Sequence, residues 1–225
     1  MTTAALLWRS PEYVGAPPAG PGKKIPGHSR PWIDGRHLRS LRTQQQIIEA
    51  FLALLQRDPV PKAAEIAEGA GCSVRAVYDR FPTMAALRVA AVDYAFAQAA
   101  ALAPVRHVDA DRGTRIRSHV ETHAKICDRG TPVWRLLLAA QNESEELRHR
   151  LRLARQRTVG RLELMFRPEL AILSDLKRFQ LVIALEALTD PEGWARMRAD
   201  HRLSFDDACD LWIAAIDRLL PAAAL

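Results

Sequence analysis

The sequence has little cysteine. Its 225 residues include only three cysteines, Cys72, Cys127 and Cys209, which are odd in number, far apart and without a CxxC pair. Such a set supports neither a disulfide framework nor a cage of cysteines around a metal. A protein of the reducing cytosol is therefore expected.

Long apolar runs are also missing. The stretch over residues 133–140 is interrupted by Arg135 and is far shorter than the roughly 18 residues that a membrane span requires. The first residues, MTTAALLWRSPEY, have no basic start before their short apolar run and no small-residue cleavage site. We expect no membrane crossing, no secretory signal and a cytoplasmic location.

Motifs that mark enzymes and metal sites are absent as well. The sequence contains no GxGxxG, no P-loop, no GxSxG and no zinc signature. His119 and His123 lie one helical turn apart, but a zinc protease needs Glu directly after the first histidine, and the run here is His-Val-Glu-Thr-His. We therefore predict no catalytic residues, no cofactor and no bound metal.

What the chain does have is a basic excess near its start. Lysine and arginine number 32 against 26 acidic residues, giving a net charge of +6 and a pI of about 9.6. Five of these six excess charges lie in residues 1–90. This imbalance favours an anionic partner such as nucleic acid.

Residues 1–37 differ in composition from the remainder. Six prolines and five glycines fall within residues 10–35, which can neither sustain a helix nor bury a core. We predict a flexible basic arm that could touch phosphate, although a solvated tail explains it as well.

From Leu41 onward the hydrophobic periodicity is helical, and no stretch shows strand alternation. The predicted class is all-α, with a helix-turn-helix domain at 38–84 and a larger helical domain at 85–225. Predicted breaks include Gly130 and Pro168. The predicted helices span 41–57, 62–69, 73–81, 83–103, 111–128, 131–142, 144–167, 174–189, 191–199 and 204–219. Ser73 and Thr83 are expected to cap the third and fourth of these.

The second and third helices, over about 62–81, are short and separated by the turn Gly69-Ala70-Gly71. This is the spacing of a helix-turn-helix, whose last helix enters the DNA major groove. The groove is about 12 Å wide, close to the diameter of a helix with its side chains.

The runs LRTQQQIIEAFLALLQ and KAAEIAEGAGCSVRAVYDRFPTMAAL resemble the DNA-binding domain of TetR-type transcriptional regulators. The resemblance covers roughly residues 40–90 in detail. It implies a homodimeric repressor that binds palindromic double-stranded DNA and is released by a small, mostly apolar effector. Arginine outnumbers lysine 27 to 5 and alanine is abundant, which suggests a bacterial genome rich in G and C.

Val77 and Phe81 are four residues apart and are expected to face the first helix. A helical wheel alone would place Val74 on the same stripe, but the family pattern places Val74 and Arg75 against base edges. Arg75 suits guanine and Val74 a thymine methyl. The predicted DNA contacts are Thr43, Lys62, Ser73, Val74, Arg75, Tyr78 and Arg80.

The sequence departs from the family pattern at Met84, where a phosphate-binding lysine is usual. Arg80 and the basic arm are expected to compensate for that missing contact.

The larger domain is expected to hold an effector and to dimerise, as in the family. Ordinary core packing explains most of the pocket candidates equally well. These candidates are Tyr94, Ile116, His123, Trp134, Leu138, Gln141 and Phe179. The dimer candidates, which burial within one subunit would also explain, are Val182, Leu185, Phe205, Trp212 and Ile216. The arginine series over 148–161 is interpreted as a solvated helix face.

Two other functions remain open. One is a small-molecule-binding enzyme whose helix-turn-helix is vestigial. The other is an architectural protein that coats DNA without sequence preference, which a steep salt dependence and little discrimination between sequences would favour.

Overall fold

The computed structural model describes residues 35–57 and 60–222, and this part of the chain contains helices and no strand. The all-α prediction is confirmed. The helices are α1 (Gly35–Leu55), α2 (Ala63–Gly69), α3 (Val74–Arg80), α4 (Met84–Leu102), α5 (Arg112–Ala140), α6 (Glu145–Met165), α7 (Arg167–Ala171), α8 (Asp175–Leu188), α9 (Pro191–Ala199) and α10 (Phe205–Leu219). The predicted arm lies outside the described residues except for 35–37, which already belong to α1.

Side-chain caps set several helix starts. The Ser73 hydroxyl accepts a hydrogen bond from the Ala76 amide at 3.1 Å, and the Thr83 hydroxyl accepts one from the Ala86 amide at 3.1 Å. Each cap satisfies an amide that has no partner within its own helix. Both caps were predicted from the sequence, and both are confirmed.

Helix α5 corrects the predicted break at Gly130, because it continues without interruption through Gly130 and Pro132. Cys127 and Val133, on either side of this point, are buried, and the Thr131 hydroxyl donates to the Cys127 carbonyl at 2.7 Å. Packing along both flanks therefore outweighs the local cost of glycine and proline. At Pro168, by contrast, α6 has already ended, and the proline lies in the first turn of α7, where its missing amide is tolerated.

Two clusters of buried side chains hold the helices together. The first joins α1 to α4 with the C-terminal part of α5 and the start of α6, and includes Phe51, Val77 and Leu137. The second joins the N-terminal part of α5 with the end of α6 and with α7 to α10, and includes Trp194 and Trp212. The helix-turn-helix therefore shares a core with part of the larger domain.

Helix α4 is the one helix of the described residues that is long and apolar enough to cross a membrane by length and composition. Only 17% of its apolar window is buried, since Leu87, Ala91 and Val92 face the first core while much of the remainder is alanine. The same helix contacts α1, α5 and α6. Packing therefore accounts for Leu87, Ala91 and Val92, and most of the apolar window lies outside the two cores.

A buried ion pair links α5 to α7. The Arg115 guanidinium donates to both carboxylate oxygens of Glu169, at 2.8 and 2.5 Å, and to the Met165 carbonyl at 2.7 Å. Burial raises the pKa of Glu169, but the hydrogen bonds from Arg115 outweigh this effect and leave it below its usual value. Removing either partner alone would leave a buried charge without compensation.

We expect Arg115→Met to lower the free energy of unfolding by about 3–5 kcal/mol, measured by urea denaturation at pH 7. Arg135→Met on the same helix is the control, because its pair with Glu192 is about half exposed and should contribute at most about 1 kcal/mol. The pKa of Glu169 is lowered by folding, so the pair stabilises the protein above about pH 4.3 and loses that effect on acidification. Equal losses in the two variants would contradict this account.

Candidate functional sites on the third helix and in a central cavity

Helix α3 is held by a small three-helix scaffold. Val77 and Phe81 are 1% and 4% exposed and pack into the first core, as predicted. Gly71 adopts a positive φ of +63° in the turn before α3, a conformation that glycine adopts without strain. The helix is therefore fixed along one side and presents the other to solvent.

That outer side carries three of the predicted DNA contacts. Val74 is 41% exposed and Tyr78 is 45% exposed, although both are large apolar or aromatic residues. The Arg75 side chain is 89% exposed and lies 4.0 Å from the Asp79 carboxylate. The outward placement taken from the family pattern for Val74, against the bare helical wheel, agrees with this geometry.

The remaining predicted contacts lie around this face. Lys62 and Ser73 precede α2 and α3 and are exposed. The Thr43 hydroxyl donates to the Arg39 carbonyl within α1 at 3.0 Å. Arg80 is half-buried and donates to the Ala76 carbonyl at 3.1 Å, so its guanidinium is turned back along its own helix.

Met84, the residue that replaces the family's lysine, begins α4. It is half-buried and packs against the first core. The position therefore contributes to packing in this protein and offers no charge.

A cavity of about 690 Å³ lies between α1, α4, α5 and α6. Its wall includes Leu52 and Gln56 at the end of α1, the alanine-rich second half of α4 and the middle of α5 and α6. This volume falls within the range of small-molecule sites, and most of the wall is apolar. The predicted pocket residues Tyr94, His123 and Trp134 line it.

The other four predicted pocket residues do not line this cavity. Ile116 is buried in the second core, away from the cavity, and Phe179 is 63% exposed on α8. Leu138 and Gln141 are half-buried but do not line the cavity. Helical periodicity placed Ile116 on an inward stripe, but it could not tell a cavity wall from a closed core. The other three residues were expected in the pocket from the helices that enclose it in the family.

The wall also contains a residue that the sequence did not single out. Arg161, grouped with the solvated arginines, lines the cavity instead. It follows Leu147, Leu151, Ala154 and Thr158 on the inward stripe of α6, at successive intervals of three or four residues. The signal was therefore present in the spacing, and the other arginines of the series obscured it.

Two stacked histidines lie beside the cavity on α5. The rings of His119 and His123 are 5.7 Å apart and nearly parallel, and His123 Nε2 lies 2.8 Å from the Thr189 carbonyl. Both ring nitrogens of His119 are buried without a hydrogen-bond partner in the described structure. Burial lowers the pKa of both histidines, with a smaller contribution from Arg161. Both rings are therefore neutral at pH 7, and the described residues contain no group of three side chains that could hold a metal.

We expect His119→Leu to keep the free energy of unfolding at pH 7.5 within about 1 kcal/mol of wild type, since leucine fills the site without buried nitrogens. An unfolded histidine takes up a proton near pH 6.5, whereas folded His119 does not. Wild type should therefore lose stability as the pH falls below about 6.5, and the variant should lose less. Urea denaturation at pH 7.5 and 5.5 measures this, with exposed His149→Leu as the control. The same loss in both variants would refute it.

The predicted dimer residues need correction. Val182, Leu185, Trp212 and Ile216 are at most 4% exposed because they form part of the second core of their own subunit. Phe205 is half-buried and packs edge-on against Trp194 at 5.4 Å. Helices α8 and α10 do present exposed apolar residues, but on their opposite faces. These are Leu176, Phe179, Ile183, Leu211 and Leu219.

The chain matches no protein-family model and no curated protein. Among solved structures, a TetR-family transcriptional regulator from Streptomyces coelicolor is similar over 78% of this chain and 81% of its own, with a TM-score of 0.63 and 20% identity. A TetR transcription regulator from Haloarcula marismortui is similar over 80% of this chain and 97% of its own, with a TM-score of 0.62 and 15% identity. This protein has the fold of TetR-family regulators.

A third similar structure is that of the multidrug binding protein EbrR complexed with imidazole. The match covers 82% of this chain and 95% of the EbrR chain, with a TM-score of 0.55 and 17% identity. At such identities the likeness establishes the fold, including the order of a helix-turn-helix followed by a helical domain. The particular contacts made by this chain have to be argued from its own residues.

Proposed function

We propose that this protein is a DNA-binding transcriptional regulator, a homodimeric repressor that a small effector releases from a palindromic operator. The observation that carries the proposal is the outer face of α3. Three side chains suited to base and phosphate contacts are exposed there, on a helix whose other side is fixed in the core. The TetR fold supports the same function.

The chemistry of this face suits the major groove. A guanidinium such as that of Arg75 can bond the O6 and N7 acceptors of guanine, and the methyl groups of Val74 can pack on a thymine methyl. We expect the Tyr78 hydroxyl to donate to a phosphate, and likewise Lys62 and Ser73 at the starts of α2 and α3. Thr43 lies inside α1 and not at its start as predicted, and its hydroxyl would have to leave the Arg39 carbonyl to reach a phosphate. Asp79 holds Arg75 only weakly, at 4.0 Å and in solvent, so DNA can displace it.

The effector would act through the elements that enclose the cavity. Leu52 on α1, Gln56 just after α1 and Tyr94 on α4 line it; α1 contacts α3, and α4 contacts α1. The Tyr94 hydroxyl donates to the Glu49 carboxylate at 2.7 Å and ties α4 to α1. A ligand that binds one arrangement of these helices more tightly shifts the population toward it. The two α3 helices of a dimer then no longer match major grooves about 34 Å apart.

Dimerisation would use the exposed apolar faces of α8 and α10. Leu176, Phe179 and Ile183 recur at intervals of three and four residues, so they form one stripe along α8. Helix α10 contacts α8 and adds Leu211 and Leu219. Pairing these faces across a two-fold axis buries the stripe and supplies the symmetry of a palindromic operator.

We expect Phe179→Glu and Ile183→Glu together to convert the dimer to a monomer, because carboxylates would be buried at its interface. Light scattering coupled to size exclusion measures the mass at several protein concentrations. Ala97→Glu on the exposed side of α4 is the control and should leave the mass unchanged. A dimer that persists in the double variant would place the interface elsewhere.

The DNA-binding surface is tested by selecting bound sequences from a random pool at physiological salt. Wild type should select a palindromic consensus. Arg75→Ala should relax the preference at one base position of each half-site and cost about 1–3 kcal/mol there. Tyr78→Phe should weaken binding to all sequences alike, since it removes a phosphate contact.

Arg152→Ala is the control for this selection, because Arg152 lies on α6 and pairs with Glu145. Binding without any consensus, with a steep salt dependence, would favour the architectural function instead. No binding, with variants that behave like wild type, would direct attention to the cavity and to the enzyme alternative. The proposal includes no cofactor and no catalytic residue, and it places the protein in the cytoplasm.

A further inference from the structure

The charge of the cavity wall is one-sided. Among the described residues, the wall contains no aspartate and no glutamate. It contains four cationic side chains, namely Lys125, Arg129, Arg157 and Arg161. Lys125, Arg129 and Arg157 are exposed at the rim, and Arg161 is the most enclosed of the four.

Arg161 lacks the partners that a buried guanidinium normally has. Its Nη1 donates to the Ala103 carbonyl at 3.2 Å, while its Nε and Nη2 are buried without any hydrogen-bond partner in the described structure. Burial lowers its pKa, and no neighbouring carboxylate offsets this effect. Arg115 on α5 is also buried, but its two terminal nitrogens donate to the two carboxylate oxygens of Glu169. The protein thus neutralises one guanidinium and leaves the other without a counterion.

The two unpartnered nitrogens are a matched pair. Nε and Nη2 lie on the same edge of the guanidinium plane, and this edge donates two parallel hydrogen bonds to the two oxygens of a carboxylate. Arg150 provides an internal example, since its Nε and Nη2 donate to the two Asp93 oxygens at 2.7 and 2.6 Å. The Nε and Nη2 edge of Arg161 is closed to solvent, so a carboxylate in the cavity would form the same pair of hydrogen bonds after a small rotation of the side chain opens that edge.

A second donor of the wall is also without a partner. Trp134 is 9% exposed, and its indole Nε1 is buried with no acceptor in the described structure. Since an indole N–H only donates, it too calls for an acceptor from a ligand.

The titratable groups of the wall supply no negative charge. His123 is neutral at pH 7 because burial lowers its pKa, and burial raises the pKa of the Cys127 thiol, which is therefore protonated. Asp190 and Asp128 act on these two groups from outside the wall, and a cationic ligand would find no carboxylate in the wall itself.

We propose that the cavity binds an amphipathic organic acid, with its apolar body against the alanine-rich wall and its carboxylate on the Nε and Nη2 edge of Arg161. This inference rests on the proposed effector-binding function and names the chemical class of the effector. It also gives the ligand a contact with α4, a helix that packs against α1. Ala103, whose carbonyl accepts a hydrogen bond from Arg161, caps the C-terminus of α4. A carboxylate that binds the Arg161 guanidinium would therefore act at the end of that helix.

The test compares three probes of equal chain length at pH 7.5, namely decanoate, decanol and decyltrimethylammonium, by calorimetric titration of the full chain. We expect decanoate to bind wild type about tenfold or more tightly than the neutral and cationic probes, because charge-assisted hydrogen bonds form only with the acid. Arg161→Gln should reduce decanoate affinity by about tenfold and leave decanol affinity unchanged. Arg161→Lys should bind decanoate with an affinity between those of wild type and Arg161→Gln, because lysine keeps the positive charge but cannot donate the paired hydrogen bonds.

Arg152→Gln is the matched control, since Arg152 is an exposed arginine of the same helix that pairs with Glu145 outside the cavity. Its affinities should equal those of wild type. Equal affinities of wild type for the three probes would overturn the inference without any variant, and so would binding of none of them. So would an Arg161→Gln protein that is folded by circular dichroism and binds decanoate like wild type.

Selection of DNA with the same preparations separates this inference from the function on which it rests. A palindromic consensus without a preference for decanoate would overturn the anionic ligand and leave the regulator intact. A preference for decanoate that depends on Arg161, without any DNA consensus, would support the ligand class and overturn the regulator.

Discussion

Packing of α1 against its neighbours is the interaction on which both candidate sites depend. One face of α1 buries Ile47, Phe51 and Leu55 in the first core, and the same core receives Val77 from α3. The next residue after Phe51, Leu52, lines the cavity. A single helix therefore supports the surface proposed to contact DNA and forms part of the wall proposed to contact the effector. A displacement of α1 would alter both the α3 surface and the cavity wall, because closely packed interiors transmit displacement.

The two buried guanidinium groups of the larger domain, Arg115 and Arg161, differ in their electrostatic surroundings. In the second core, Arg115 is enclosed together with Glu169, which stabilises the junction between α5 and α7 only as long as both are present. In the cavity, Arg161 is enclosed without a carboxylate, and two histidines beside it are kept neutral by burial. The pair serves the architecture, whereas the unpaired guanidinium gives the cavity a preference for one sign of charge.

The local features predicted from the sequence depend on neighbouring residues alone, and these agree best with the structure. The caps at Ser73 and Thr83, the turn at Gly71 and the inward Val77 all follow from short-range geometry. Gly130 and Pro132 were misleading, since buried contacts from distant helices keep α5 continuous. Phe179, expected in the pocket because its helix encloses the pocket in the family, is exposed on α8. The family pattern does not say which neighbour this face of the helix meets in this chain.

The sequence by itself determined the all-α class, the helix-turn-helix and the inward side of its third helix, whereas the outward placement of Val74 came from the family pattern and not from helical spacing. The first three properties follow from hydrophobic spacing, capping residues and glycine turns, all of which operate within a few residues. Only the tertiary structure decided that Arg161 faces a cavity without a carboxylate and that Trp212 lies in the core of its own subunit. Those properties depend on which helices meet, and residues far apart in the chain determine the surroundings of each side chain.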